Sequence, residues 1–159
     1  MTKKELIAVF IVHLEKELSI LKDAARATAE AATNEESRPE NEYDTRALEA
    51  SYLAGAQSKR VVEVLEVLTL FRTISFKEFK KGDAIEATAL IDISLDGKKN
   101  RLLMMPIGGG VNLSADGQNV QIVTPHSTLG ETILGLKVGE TAEFEVGPKI
   151  RECEILAIQ

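Results

Sequence analysis

Tryptophan is absent and aromatic residues make up only 4% of the 159-residue chain. A core built from this sequence is therefore mostly aliphatic, and a ligand pocket walled by rings is not expected. Cysteine is nearly absent too. Cys153, the single one, permits no intramolecular disulfide and no cysteine-based zinc site, and it suits a reducing compartment. It sits in an alternating apolar stretch, where a thiol behaves as a small core hydrophobe. The two histidines, His13 and His126, are far apart and lack acidic neighbours at ligand spacing, so neither a histidine metal site nor a Ser-His-Asp or Cys-His arrangement is readable. Long apolar runs are missing as well. LIAVFIV follows Lys3 and Lys4 but is too short for a membrane span, and HLEKEL follows it without a cleavage site. A cytoplasmic protein with no membrane contact is expected. Basic excess is also lacking: 19 Lys and Arg against 25 Asp and Glu leave a net charge of −6, which argues against a general nucleic-acid-binding surface.

What remains divides near Thr73. Before it the apolar spacing is helical; after it the spacing is strand-like and punctuated by glycine. Ile7, Ile11, Leu14, Leu18, Leu21, Ala25, Thr28 and Ala32 alternate steps of four and three, the 3.5-residue seam of a coiled coil. Tyr43, Ala47, Ala50, Ala54, Gln57, Val61, Val64, Leu68 and Phe71 form a second seam. Folding the chain back near residue 37 or 38 matches the seams in pairs whose numbers sum to 75, such as Leu14 with Val61 and Leu18 with Gln57. The expectation is an antiparallel coiled-coil hairpin over residues 1–74. Its rungs shrink to alanine toward the turn, and its seam closes on itself, which implies a monomer.

Residues 75–159 read as short strands with one helix, a small α+β domain with an antiparallel sheet. Asp96-Gly97 is a hairpin turn signal. The glycines at 108–110 lack the Gly-Lys-Ser/Thr and the helix of a phosphate-binding loop and read as a plain loop. Ser127 to Leu136 reads as a short amphipathic helix with Ser127 as its N-cap. Lys137 to Glu140 is a turn before two closing strands.

Between the seams lies NEESRPENEYDTR, residues 34–46. Glu35, Glu36, Glu40, Glu42 and Asp44 cluster there against a single cation within the turn, Arg38. Pro39 suits the first position of the second helix, and acids near that helix start are favourable without any function. That reading covers Glu42 and Asp44 best; Glu35, Glu36 and Glu40 lie on the turn itself. Carboxylates on a slender apex can share a hard cation such as Mg²⁺, which binds few protein groups and keeps open positions for partner oxygens. They would then act on a metal held by another macromolecule.

These segments resemble the bacterial Gre factors, the transcript-cleavage factors of RNA polymerase. ENEYDTR followed by Gly55 looks like the family's tip and second helix. VTPHSTLGETILGLKVGETAEFEV and ECEILAI look like its C-terminal signature, with Ser127-Thr128 where the family has Ser-Pro. The resemblance covers nearly the whole chain. It implies a hairpin inserted into the polymerase secondary channel and an FKBP-like C-terminal domain at its rim. In cleavage-competent members an Asp, and a Glu three residues later, help hold the second catalytic Mg²⁺ of the polymerase. Glu40 is the best counterpart of that Glu. Ser37 stands where the Asp would be, with Glu36 and Glu35 the nearest acids, and Pro39 is foreign to the pattern. The resemblance thus implies Glu36, Glu40 and Glu35 as residues acting in trans, with Glu36 and Glu40 on the shared Mg²⁺. It implies Arg38, Asn41, Tyr43 and Arg46 as partner contacts, no cofactor of the chain's own, and indirect contact with nascent RNA. A cleavage stimulator and a non-cleaving channel occupant both stay open. A prolyl isomerase of FKBP type is the alternative from another class, although Phe76, Phe79 and Phe144 are the only rings its site could use. A dimerising coiled-coil module is a third.

Overall fold

The computed structural model describes residues 1–33, 46–115 and 117–159. The elements in chain order are α1 (Lys3–Thr33), α2 (Arg46–Thr73), β1 (Leu90–Leu95), β2 (Lys98–Met104), β3 (Asn112–Ala115), β4 (Gln118–Val123), α3 (Thr128–Ile133), β5 (Thr141–Val146) and β6 (Lys149–Ile158). They cluster into two units. Ile11–Arg72 is a helical hairpin. Met1–Phe10 and Thr73–Gln159 form the unit that contains the sheet.

In the hairpin, the seam of α2 emerges where the spacing places it. Val64, Leu68 and Phe71 are buried, and Ala54, Gln57 and Val61 are half-buried. On α1, Leu14 and Leu18 are buried while Leu21, Ala25 and Thr28 are half-buried. Burial is thus concentrated at one end of the hairpin and fades along both helices toward residues 33 and 46.

The sheet unit is stitched by turns whose chemistry is local. Leu95 pairs with Lys98 across Asp96-Gly97. Both turn residues have positive φ, 49° and 77°. A two-residue turn of that kind matches the twist of its strands, and Asp-Gly supplies it at low steric cost. Asp96 also ties the turn to β6, accepting from Arg151 Nε at 2.7 Å and from the Glu152 N–H at 3.1 Å.

Strand order is β3-β4-β2-β1-β6-β5. The sheet is mixed rather than antiparallel, because β4 runs parallel to β2 from Arg101 opposite Val120 to Met104 opposite Val123. The chain leaves β2, passes through the loop at 105–111 and lays down β3 two strand positions away; β4 then returns into the vacant slot between them. Alternating hydrophobicity sets which face of a strand is inward, not which neighbour it takes, so the sequence pattern does not carry this parallel pair.

One sheet face packs the main core: Ile91, Ile93, Leu102, Met104, Val123, Cys153 and Ile155, with Ile85, Ile133 and Phe144 from outside the central strands. By alternation, Leu90, Leu103 and Ile122 lie on the opposite face, and they too are buried. Helix α3 is shorter than the sequence suggests. Ser127 Oγ accepts from the Gly130 N–H at 3.1 Å as N-cap. The helix then ends at Ile133, because Gly135 turns to φ 83° and donates its N–H to the Ile85 carbonyl at 2.8 Å.

Candidate functional site

The residues that the sequence marks for function lie at the connection between α1 and α2. Glu35, Glu36, Arg38, Glu40, Asn41 and Tyr43 lie outside the described residues, as do Glu42 and Asp44. Arg46 opens α2, and only its backbone is described. The described scaffold on either side has a definite electrostatic character. The last turn of α1 contains no basic residue of its own. Thr33 Oγ1 instead donates back to Ala29 and Glu30 carbonyls at 3.1 and 3.2 Å. Glu30 is exposed near this end, and Glu49 sits in the first turn of α2, where a carboxylate complements the helix dipole.

Two cross-helix ion pairs fix how the helices slide against each other. Arg60 Nη2 meets Glu17 Oε1 at 3.1 Å, and Arg72 Nη2 meets Glu15 Oε1. Pairing residues whose numbers sum to 75 would set Arg72 level with residue 3, twelve residues from Glu15 or about 18 Å along the axis. No arginine–glutamate pair spans that. A register one heptad later, with numbers summing to 82, leaves each pair only five residues or about 7.5 Å apart along the axis, within reach of two long side chains. It sets Leu14 opposite Leu68 and Leu18 opposite Val64, all four buried. The sequence register is therefore corrected by seven. A 3.5-residue seam repeats every heptad, so the two registers match apolar positions equally well.

The shift also moves Gln57 from opposite Leu18 to opposite Ala25. Gln57 Oε1 is buried with no hydrogen-bond partner among the described residues. A polar group in a seam costs stability and discriminates among registers, which an all-aliphatic seam cannot do.

In the sheet unit, no constellation of catalytic type is formed by the residues the sequence singled out. His126 is exposed, as is His13 on α1 of the hairpin, and no group of three or more His, Cys, Asp or Glu among the described residues could hold a metal. Cys153 is buried, and burial pushes its thiol up, away from the reactive thiolate. Phe144 belongs to the core and Phe79 packs against it, so these rings fill the interior rather than line a cleft.

Two polar features escaped the motif reading, and the first lies on the second sheet face. Arg101 Nε and Nη2 donate to the two Asp92 oxygens at 2.5 and 2.8 Å, and Nη1 donates to Gln118 Oε1 at 2.6 Å. The signal for this pair was present. Once Asp96-Gly97 is taken as a two-residue turn, counting outward puts Asp92 opposite Arg101. Lys3 is a second polar feature, elsewhere in the same unit. Its ammonium donates to the carbonyls of Lys77 and Gln159 at 2.6 and 2.9 Å and stands 4.8 Å from the Phe79 ring centre. Burial pulls its pKa down to about 8, against a smaller raising influence of Glu78.

No family model matches the sequence, and no curated protein matches it significantly. Solved structures do. Gfh1 of Thermus aquaticus aligns at 15% identity and TM-score 0.40, covering 92% of each chain. GreA factor homolog 1 (Gfh1) of Thermus thermophilus aligns at 14% identity and TM-score 0.38, covering 94% of each. The transcription elongation factor GreA/GreB of Nitrosomonas europaea aligns at 10% identity and TM-score 0.37, covering 70% of this chain and 92% of that one. The chain is similar in structure, at low sequence identity, to Gfh1 and GreA/GreB proteins.

Proposed function

We propose that the chain is a transcription elongation factor that binds RNA polymerase through the secondary channel. The helical hairpin enters the channel, and an FKBP-like sheet domain docks at its rim. Glu36 and Glu40 stand nearest the catalytic Mg²⁺, with Glu35 beside them, and Arg38, Asn41, Tyr43 and Arg46 contact the polymerase. The chain performs no chemistry alone; it adds carboxylate oxygens to a metal that the polymerase supplies. Those oxygens orient a metal-bound water toward backtracked RNA. The observation that supports this reading is the coincidence, in one chain, of a helical hairpin with five carboxylates in its connecting sequence and a strand domain carrying TPHSTLGETILGL.

A second reading, occupation of the channel without cleavage, is favoured by Ser37, which stands where a cleavage factor has its aspartate. One experiment separates the two. A stalled, backtracked elongation complex is incubated with the protein and Mg²⁺. Release of short 3′ RNA fragments, lost in the Glu36→Ala, Glu40→Ala double variant, establishes cleavage stimulation. Binding without release establishes the non-cleaving reading, and absence of binding removes both.

A further inference from the structure

The sheet ends in β3 on one side and β5 on the other. The β5 edge is bare. Strands β5 and β6 close on each other across Gly147 and Pro148, with Val146 opposite Lys149. The closing pair of a two-residue hairpin exchanges hydrogen bonds, and bonded pairs alternate with unbonded ones along an antiparallel ladder. Ala142 and Phe144 therefore turn their backbone groups toward β6, while Thr141, Glu143 and Glu145 turn theirs away from it. Among the described residues, no backbone hydrogen bond from outside the sheet ladders reaches those three. Their side chains are exposed. Helix α3 packs on the core face, where Leu129, Ile133 and Phe144 belong to one cluster, and not along this edge.

Side-chain charge decides what this edge can accept. The pairs Ser94–Glu154, Glu154–Thr141 and Glu152–Glu143 carry the second sheet face outward from β1 to β5. That face is buried around Leu90, Leu103 and Ile122. At the β5 end it is open, and Glu143, Glu145, Glu152 and Glu154 are all exposed. No ion pair engages any of the four among the described residues. Arg151 shares the opposite face with Phe144 and is held by Asp96. Charge on an edge strand keeps a sheet from pairing with copies of itself, which accounts for Glu143 and Glu145. It does not account for Glu152, which stands on the inner strand directly opposite Glu143. Like charges there are unfavourable and guard no edge. A second β5 edge would lengthen the carboxylate row and be repelled. A strand with cations on this face would sit beside Glu143 and Glu145, with Glu152 and Glu154 one strand further in, and relieve the repulsion.

We propose that the β5 edge binds an extended basic segment of another protein as an added strand. The backbone of that segment pairs with Thr141, Glu143 and Glu145, and its alternate Lys or Arg side chains lie against the glutamate row. Its intervening side chains fall on the face of Phe144 and the exposed Val146, so apolar residues suit them. The inference is independent of the polymerase reading, since it uses no residue of the hairpin connection.

The test is fluorescence anisotropy of labelled peptides with the full chain, at low salt where exposed charges act at full range. A short peptide alternating Lys and Val binds. A peptide of the same composition with its lysines in one block binds about tenfold more weakly, because it cannot present them all on one face of a strand. Glu143→Lys weakens the alternating peptide at least about tenfold. Thr141→Pro removes one outward N–H without altering charge or the β6 ladder, and it weakens binding about threefold or more. Methylated peptides separate strand pairing from diffuse attraction without any variant. Methylating the lysine backbone nitrogens blocks an antiparallel addition, and methylating the valine nitrogens blocks a parallel one, so one set alone abolishes binding. No binding of the alternating peptide, equal binding of the blocked one, an unaffected Thr141→Pro protein, or equal effects of the two methylated sets each overturn the proposal. Circular dichroism of both variants confirms that they are folded.

Discussion

Adding one methyl group at each of two glycines should produce opposite results. A Cβ built on Gly130 lies 1.9 Å from the Thr124 carbonyl oxygen and 2.8 Å from Ser127 Oγ. Ordinary contact needs about 1.5 Å more room, and the obstacle is backbone. Thr124 O cannot retreat easily, because it accepts from the Ser127 N–H at 3.0 Å and from Ser127 Oγ at 2.9 Å. Helix α3 must move instead. That movement breaks the Ser127 cap, worth about 1 kcal/mol, and disturbs the fully buried Ile133. Overpacking of this kind costs about 1–3 kcal/mol, so Gly130→Ala should destabilise the sheet unit by about 2–4 kcal/mol. Gly55 lies inside α2 with nothing within 4 Å of its built Cβ. Alanine there gains about 1 kcal/mol of helix propensity at no steric cost. Urea denaturation followed by far-ultraviolet circular dichroism measures both, and hydrogen exchange assigns each change to sheet or hairpin amides. A Gly130→Ala protein within about 0.5 kcal/mol of the wild type would refute the packing argument. A destabilised Gly55→Ala protein would refute the account of α2.

Three further outcomes follow from polar groups. Gln57→Leu removes a buried, unpaired amide oxygen and should raise hairpin stability by about 1 kcal/mol, read as a higher urea midpoint; a lower midpoint would mean that the amide is satisfied in solution. Lys3 has a folded pKa of about 8 against an ordinary 10.5. The unfolded chain therefore holds more protons between those values, and stability should rise with pH across that window through this group. Lys3→Met should abolish that rise, and an unchanged pH profile in the variant would show that Lys3 does not titrate early. For the half-buried Arg101–Asp92 pair, a double-mutant cycle to alanine should give a coupling of about 1–2 kcal/mol. Coupling near zero would mean that water competes fully for both groups.

Period and turn chemistry made much of the fold legible. The seam residues Val64, Leu68 and Phe71 are buried where a 3.5-residue step puts them, and Asp96-Gly97 turns the chain between β1 and β2. Strand neighbours were not legible, since Arg101 finds Val120 through a skipped sheet position that no spacing records. The hairpin register was legible only modulo seven, because Leu14 matches Val61 and Leu68 equally well as an apolar partner. The end of α3 was misread because Gly135 falls within an apolar run; its backbone bond to Ile85 decides the matter and is non-local. For the site, the acids of residues 35–44 were visible as composition, and their arrangement lies outside the described residues. The Arg101–Asp92 pair was visible in principle, by counting outward from the turn.

The ladder between β1 and β6 has a consequence for how fast the chain acquires its native form. Leu95 meets Cys153 nearly sixty positions downstream, whereas β1 and β2 close across two residues. Contacts of long sequence separation form late, after the entropy of a large loop has been surrendered. During that interval one edge of β1 stands bare, with unpaired N–H and C=O groups that any passing strand could adopt. Nascent chains at high concentration should therefore aggregate through Leu90–Leu95, and early capture of that edge by β6 is what sets the yield of folded protein.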